Sequence, residues 1–184
     1  PEDAAPMAAY MKHRFEFHGI KSKARTDVVK GYIQQHGLPE GEELKAVCRL
    51  CFAAEAKREL QYCVNDLLQK AKRQLDPSFL SLVEELIPQK SWWDSIDFLS
   101  PKIAGMLLLK FPEQRSRYPD RWIASDNFWF QRAAILYQLN YKDKTDEERL
   151  FQYIRHRADS DEFFVQKAAG WEIGRASCRE RVCH

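Results

Sequence analysis

The chain has 184 residues, a formal net charge of +2 and 30% charged side chains, long enough for one domain that buries most of its apolar surface. A balance so near neutrality excludes a protein coated in positive charge, although a local basic stripe remains compatible with it. No apolar run reaches membrane-span length, no charged-then-apolar leader precedes a cleavage site, and no Asn-Gly or Asp-Gly hairpin signal occurs, so a cytoplasmic, helical protein is expected.

Helices are predicted over residues 5–15, 24–36, 42–53 and 57–74. Asp76-Pro77 then supplies an N-cap followed by proline at the first helical position, opening the apolar run Phe79, Leu80, Leu82, Val83, Leu86 and Ile87. Ser91 with Asp94 reads as a capping box that puts Trp93 and Asp97 on one short helix. Ser125 or Asp126 is expected to cap a helix running through Phe130, Ala133, Ala134, Leu136, Tyr137 and Leu139. Thr145 with Glu148 opens 149–157, and Ser160 or Asp161 opens 163–171. Connections are short, as at Gly37-Leu38-Pro39 and Phe111-Pro112. From Glu172 to Val182 the helical pattern breaks, and the segment resembles read-through of a sequencing adapter. With Pro1 in place of an initiating Met, the expectation is a truncated chain: a domain over 1–171, incomplete at its C-terminal end, and a non-native tail over 172–184.

A 35-residue interval links several of these helices. Tyr62, Asp97, Arg132 and Lys167 share one register; Trp93, Phe128 and Phe163 share another; Gln61, Ile96, Gln131 and Gln166 a third. An aromatic one helical turn before a polar group therefore recurs. Paired helices at this period predict an all-α solenoid in which each pair buries its apolar face against its neighbours. Asp97, Arg132 and Lys167 would then project from successive rungs into one trough. The plainer alternative, aromatics and charges that cap the core of each repeat, suits Phe128 and Phe163 better than it suits Trp93 with Asp97.

Four segments carry a family resemblance: Lys90-Ser91-Trp92-Trp93-Asp94-Ser95-Ile96-Asp97; Trp122-Ile123-Ala124-Ser125-Asp126-Asn127 with Gln131-Arg132-Ala133-Ala134-Ile135-Leu136; Glu162 through Trp171; and Pro6-Met7-Ala8-Ala9-Tyr10-Met11. In this order and spacing they resemble the HEAT-like-repeat DNA glycosylases of the AlkD type, which excise alkylated purines. The resemblance spans residues 5 to 171. It implies a HEAT-like-repeat α-solenoid, a curved superhelix of antiparallel helix pairs. It also implies a monomeric enzyme of base excision repair that acts on alkylated duplex DNA, gripping the backbone with its concave face and leaving the lesion in the duplex. By the same resemblance Trp93 and Trp171 flank the damaged nucleotide, Asp97 is the catalytic carboxylate, and Arg132 contacts DNA beside the lesion. Tyr10, Lys90 and Lys167 would contribute to the DNA surface. The family has an arginine where this chain has Gly174.

The residue types fit that chemistry. A purine alkylated at N3 or N7 is cationic and leaves as a neutral base, so no strong general acid is needed. The sugar develops oxocarbenium character, which a carboxylate stabilises while orienting water. Tryptophan faces attract cations by about 0.5–2 kcal/mol. No metal, cofactor or Schiff-base lysine is required. The competing classes are a non-catalytic solenoid that binds DNA or protein, and an inactive fragment of the enzyme; a pure scaffold has no use for the set Trp93, Asp97, Arg132 and Trp171. Cys48-x-x-Cys51 reads as helix core, Cys63 stands alone, and Cys178 and Cys183-His184 fall in the tail. His13, His18, His36 and His156 form no ligand-like pair. Arg149, Arg155, His156 and Arg157 make a basic helix face, either solvated or in contact with phosphate.

Overall fold

A computed structural model describes residues 2–182, with side chains described through Gly174. The described residues contain helices and no strand, in the all-α helical-repeat class that the 35-residue period predicts. The chain divides into two compact units, residues 1–76 and 77–184.

The first unit holds α1 (Ala4–Tyr10), α2 (Ser22–His36), α3 (Gly41–Phe52) and α4 (Arg58–Ala71). Helix α4 turns Val64, Leu67, Leu68 and Ala71 inward at helical spacing. At its start Glu59 is buried, and its carboxylate accepts hydrogen bonds from the backbone N–H groups of His18, Gly19 and Ile20 at 3.0, 2.8 and 3.1 Å. Burial pushes this carboxyl up, and the backbone N–H groups more than reverse the effect, holding it below the ordinary glutamate value. Beside it the buried Arg58 guanidinium lies 3.9 Å from the Phe15 ring centroid.

The second unit holds α5 (Ser78–Leu86), α6 (Trp93–Phe98), a π-helical stretch (Leu99–Ala104), α7 (Gly105–Lys110), α8 (Pro119–Ile123), α9 (Phe128–Leu136), α10 (Glu147–His156) and α11 (Phe163–Val182). Helix α9 is its centre. Residues Gln131 to Leu136 are all buried, and the helix packs against α6, α8, α10, α11 and the π stretch. A helix buried on every side needs apolar or fully bonded residues throughout, as found here.

The repeat is visible in its hydrogen bonds. The Gln131 side-chain amide donates back to the Ser125 carbonyl at 2.7 Å, and Gln166 donates to the Ser160 carbonyl at 2.8 Å. Gln61 donates to the Cys51 carbonyl. One register thus fastens α9 and α11 to the loop before each, and α4 to the end of α3. Ile96 occupies that register in α6 and is simply buried.

Several helix starts differ from expectation. Ser91 does not cap α6; its hydroxyl donates to the Ile87 carbonyl at 2.7 Å and closes the preceding turn. Ser95 takes over, accepting from Trp92 N–H at 3.4 Å and donating to the Trp92 carbonyl at 3.0 Å. Asn127 and Asp146 are the caps of α9 and α10, accepting from Trp129 N–H (2.9 Å) and Arg149 N–H (3.1 Å). At α9 and α10 a polar residue nearer the helix reaches the free N–H groups better. The π stretch, α7 and α8 carry no clear sequence signal. The break expected after Trp171 does not occur: α11 runs on to Val182, because backbone bonding needs helix-competent residues such as Glu, Arg and Ala rather than an apolar stripe. The side chain of Cys178, and Cys183 and His184 entirely, lie outside the described residues.

The π stretch follows α6 directly. Pro101 inside it has no N–H to give, so the regular ladder cannot continue through it. Partners from the region of α9 tie the stretch down: Ser100 Oγ donates to the Ala133 carbonyl at 2.6 Å, Asn140 to the Pro101 carbonyl at 3.1 Å, and Tyr141 Oη to the Gly105 carbonyl at 2.7 Å. Gly105 permits this approach, because a Cβ there would lie 2.1 Å from the Tyr137 carbonyl oxygen. Gly105→Ala must therefore push backbone apart and should cost about 3 kcal/mol. Urea denaturation checks this; an unchanged midpoint would contradict the close packing.

Candidate active site

Helix α6 is short enough that Trp93 and Asp97, one turn apart, share a face. Asp97 does not stand free in a trough. Arg132, from the middle of α9, clasps it in a two-pronged pair: Nε donates to Oδ1 at 2.8 Å and Nη2 to Oδ2 at 2.8 Å. The third guanidinium nitrogen, Nη1, donates to the Phe164 carbonyl at 2.5 Å. Three helices from three repeats, α6, α9 and α11, thus meet on one guanidinium. The Arg132 side chain is 1% exposed and that of Asp97 20%, so the pair sits at the boundary of the core with the Asp97 side chain partly open to solvent.

That setting controls the charge on Asp97. Burial pushes its carboxyl above the ordinary aspartate value, against the opposing pull of Arg132; Asp94 adds to the rise and Lys167 works against it.

Trp171, on α11, is 42% exposed. Its ring centroid lies 5.2 Å from Arg132 Cζ and 5.2 Å from Lys167 Nζ. Lys167 Nζ also lies 5.7 Å from the centroid of Phe163, which is 63% exposed. Phe163, Lys167 and Trp171 are spaced four residues apart, so they form one stripe along α11.

Beneath this stripe lies an aromatic cluster. Trp92, Trp129 and Phe164 meet with centroid separations of 5.8, 5.1 and 4.9 Å, the last pair tilted at 35° and the others edge to face. Phe128 joins Trp129 at 4.6 Å. The cluster fixes the spacing of α6, α9 and α11 and so the geometry of the ion pair. Trp129 and Phe164 lie one position beyond Phe128 and Phe163 in the 35-residue register, a signal that sequence reasoning passed over.

The residues singled out from the sequence therefore divide. Asp97, Arg132, Lys167 and Trp171 come together, and Trp93 shares the Asp97 helix. Arg132 differs from expectation: instead of an exposed cation offered to DNA, it is an inward guanidinium with every nitrogen committed. Lys90 is half-buried, in a left-handed conformation (φ 46°) just before α6. Tyr10 is 69% exposed at the end of α1 in the first unit. The basic face of α10 also resolves into separate roles. Arg149 pairs with Asp120, and Arg157 donates to the carbonyls of Ile123 and Ser125, leaving Arg155 and His156 exposed. Burial pushes the Cys48 thiol up to about 12 and the Cys63 thiol up to about 11, so both stay protonated and act as core groups. Among the described residues no group of three or more His, Cys, Asp or Glu side chains is placed to hold a metal ion. No helix among them is long and apolar enough to cross a membrane.

Comparison with known proteins adds to this geometry. A family model described as DNA alkylation repair enzyme matches residues 1–181. Among solved structures, a protein described as a predicted DNA alkylation repair enzyme from Enterococcus faecalis is similar, at 32% sequence identity and a TM-score of 0.83. The match covers 93% of this chain and 79% of that one. No curated protein sequence matches.

The clasp on Asp97 has a measurable weight. Removing one partner of a buried pair strands the other in a poorly solvated place, at a cost of about 3–5 kcal/mol. The partial exposure of Asp97 places Arg132→Met near the lower end, about 3 kcal/mol. In a denaturation double-mutant cycle, Arg132→Met in an Asp97→Asn background should cost clearly less than in the wild type; equal losses would mean the two groups act independently.

Proposed function

The chain belongs to the DNA alkylation repair enzyme family, and within it we propose an alkylpurine DNA glycosylase that hydrolyses the N-glycosidic bond of cationic N3- or N7-alkylated purines in duplex DNA. The observation that carries this reading is the partly exposed Asp97 carboxylate, held in a fixed orientation by Arg132, whose guanidinium lies 5.2 Å from the ring centroid of the exposed Trp171.

Each group has a role. The alkylated base is its own leaving group, departing with the electrons of the C1′–N bond and becoming neutral. The sugar is left with oxocarbenium character, and the Asp97 carboxylate stabilises that charge through space. The same carboxylate orients a water for attack at C1′ and accepts its proton as the new C–O bond forms. Arg132 is a positioning residue, since it sets the carboxylate plane and favours its ionised state. Trp93 and Trp171 hold the cationic nucleotide by their ring faces. Tyr10, Lys90 and Lys167 are assigned to the DNA surface, where Lys167 is an exposed cation whose charge acts on the Asp97 carboxyl.

Asp97→Asn preserves shape and removes the charge. It should abolish base release from duplex DNA carrying 7-methylguanine, a loss of at least 100-fold, while duplex binding is largely retained. Unchanged release would sink the assignment of Asp97.

The pH profile provides a second check. Asp97 acts as the anion, and its carboxyl is raised above the ordinary aspartate value, which is about 3.9. Protonation, and with it loss of activity, should therefore set in at a higher pH than for an unperturbed aspartate. The single-turnover excision rate, corrected for spontaneous depurination, should show an acid limb with a midpoint above about 4. A rate that stays flat down to that value would contradict the role of the buried carboxylate.

A further inference from the structure

Lys167 is left over by the chemistry above. It is exposed, and among the described residues it makes no ion pair; its contacts are the faces of Trp171 at 5.2 Å and Phe163 at 5.7 Å. Arg132, the other cation at Trp171, is buried and fixed by three hydrogen bonds. Of the two cations at this indole, only Lys167 can move without dismantling the core. Trp171 is also the exposed ring that the glycosylase reading offers to a positively charged base. A ring face that attracts an alkylated purine attracts an ammonium group for the same reason, the negative potential over its π system.

We propose that Lys167 is an internal surrogate for the cationic lesion, resting on Trp171 in the free protein and leaving it when a DNA phosphate takes the ammonium group. The exchange is balanced in charge: the indole gives up one cation and receives another, and the lysine trades a ring face for a phosphate. It makes the site selective by coupling. A cation without an adjoining phosphate must compete with Lys167 for the ring, whereas a cationic base within a phosphodiester backbone brings the group that removes the competitor. Lys167 is thus a specificity-determining residue for duplex-borne cations over free ones. The identity of the displacing ligand rests on the glycosylase reading; the occupancy of Trp171 does not.

The probe is N-methylpyridinium, a small aromatic cation without phosphate that quenches indole fluorescence. Quenching is titrated in the wild type, Lys167→Met and Lys167→Arg, with Trp171→Phe as the blank for the other four tryptophans. Lys167→Met should raise the Trp171-specific quenching constant about threefold to tenfold, while Lys167→Arg, which keeps a cation on the ring, should stay near the wild type. In excision of 7-methylguanine from duplex DNA, Lys167→Met should raise the half-saturating enzyme concentration about tenfold through the lost phosphate contact. Its maximal single-turnover rate should rise about twofold as the ring becomes free. A purely structural lysine would lower that maximum and leave the quenching unmoved. Equal quenching in wild type and Lys167→Met, with the wild type active in excision, overturns the surrogate role and leaves the glycosylase reading standing. Increased quenching in a protein that excises nothing supports the occupancy of Trp171 by Lys167 and overturns the reading of function instead.

Discussion

Arg132 is the constraint around which the second unit is arranged. A guanidinium has a fixed planar fork of donors and cannot shed its charge, so burying it demands an acceptor for each edge. The fold meets that demand from two directions, with the Asp97 carboxylate on α6 and the Phe164 carbonyl on α11. Neither acceptor can shift by much without stranding a charge in the core, at a cost of several kcal/mol. The chemically interesting carboxylate is therefore also a structural counter-ion, and its orientation follows from core packing.

Much of the remaining architecture reads as support for that pair. The aromatic cluster of Trp92, Trp129 and Phe164 fills the space between the three contributing helices. The π stretch after α6, fixed by Ser100, Asn140 and Tyr141, holds the end of the Asp97 helix against α9. Gly105 lets the backbones come close enough for those bonds to form. Irregular helical geometry at this point is a local departure from the repeat, and it falls beside the one rung whose register carries an acidic residue. At the same rung the reaching glutamine of the other repeats is replaced by Ile96.

The repeat and the candidate cluster of Asp97, Arg132 and Lys167 are legible in the chain because both are written in spacing. Asp97, Arg132 and Lys167 announce themselves at 35-residue intervals, and Trp93 and Trp171 sit one turn away on the same helix faces. What the spacing could not convey is direction. Arg132 looks like an exposed cation when placed beside Lys167 in the register, yet it is buried, because only the folded chain shows that Asp97 and Phe164 lie within its reach. The π stretch was illegible for a related reason: Pro101 and Gly105 mark trouble for a regular helix, and the partners that resolve it, Asn140 and Tyr141, are more than thirty residues away. The caps of α9 and α10 fall one or two residues beyond Ser125 and Thr145 since these compete with equally polar neighbours, Asn127 and Asp146.

The bond from Arg132 to the carbonyl of Phe164 also has a consequence in time. A chain made from its N-terminus presents Asp97 and Arg132 well before Phe164 and Trp171 have been synthesised. Until then the guanidinium lacks one of its acceptors and the Trp171 ring that packs on it. A nascent or partly folded chain can therefore carry every earlier helix and still lack the completed cluster around Arg132. The Arg132–Asp97 pair therefore reaches its full set of bonds only once α11 has packed beside α9.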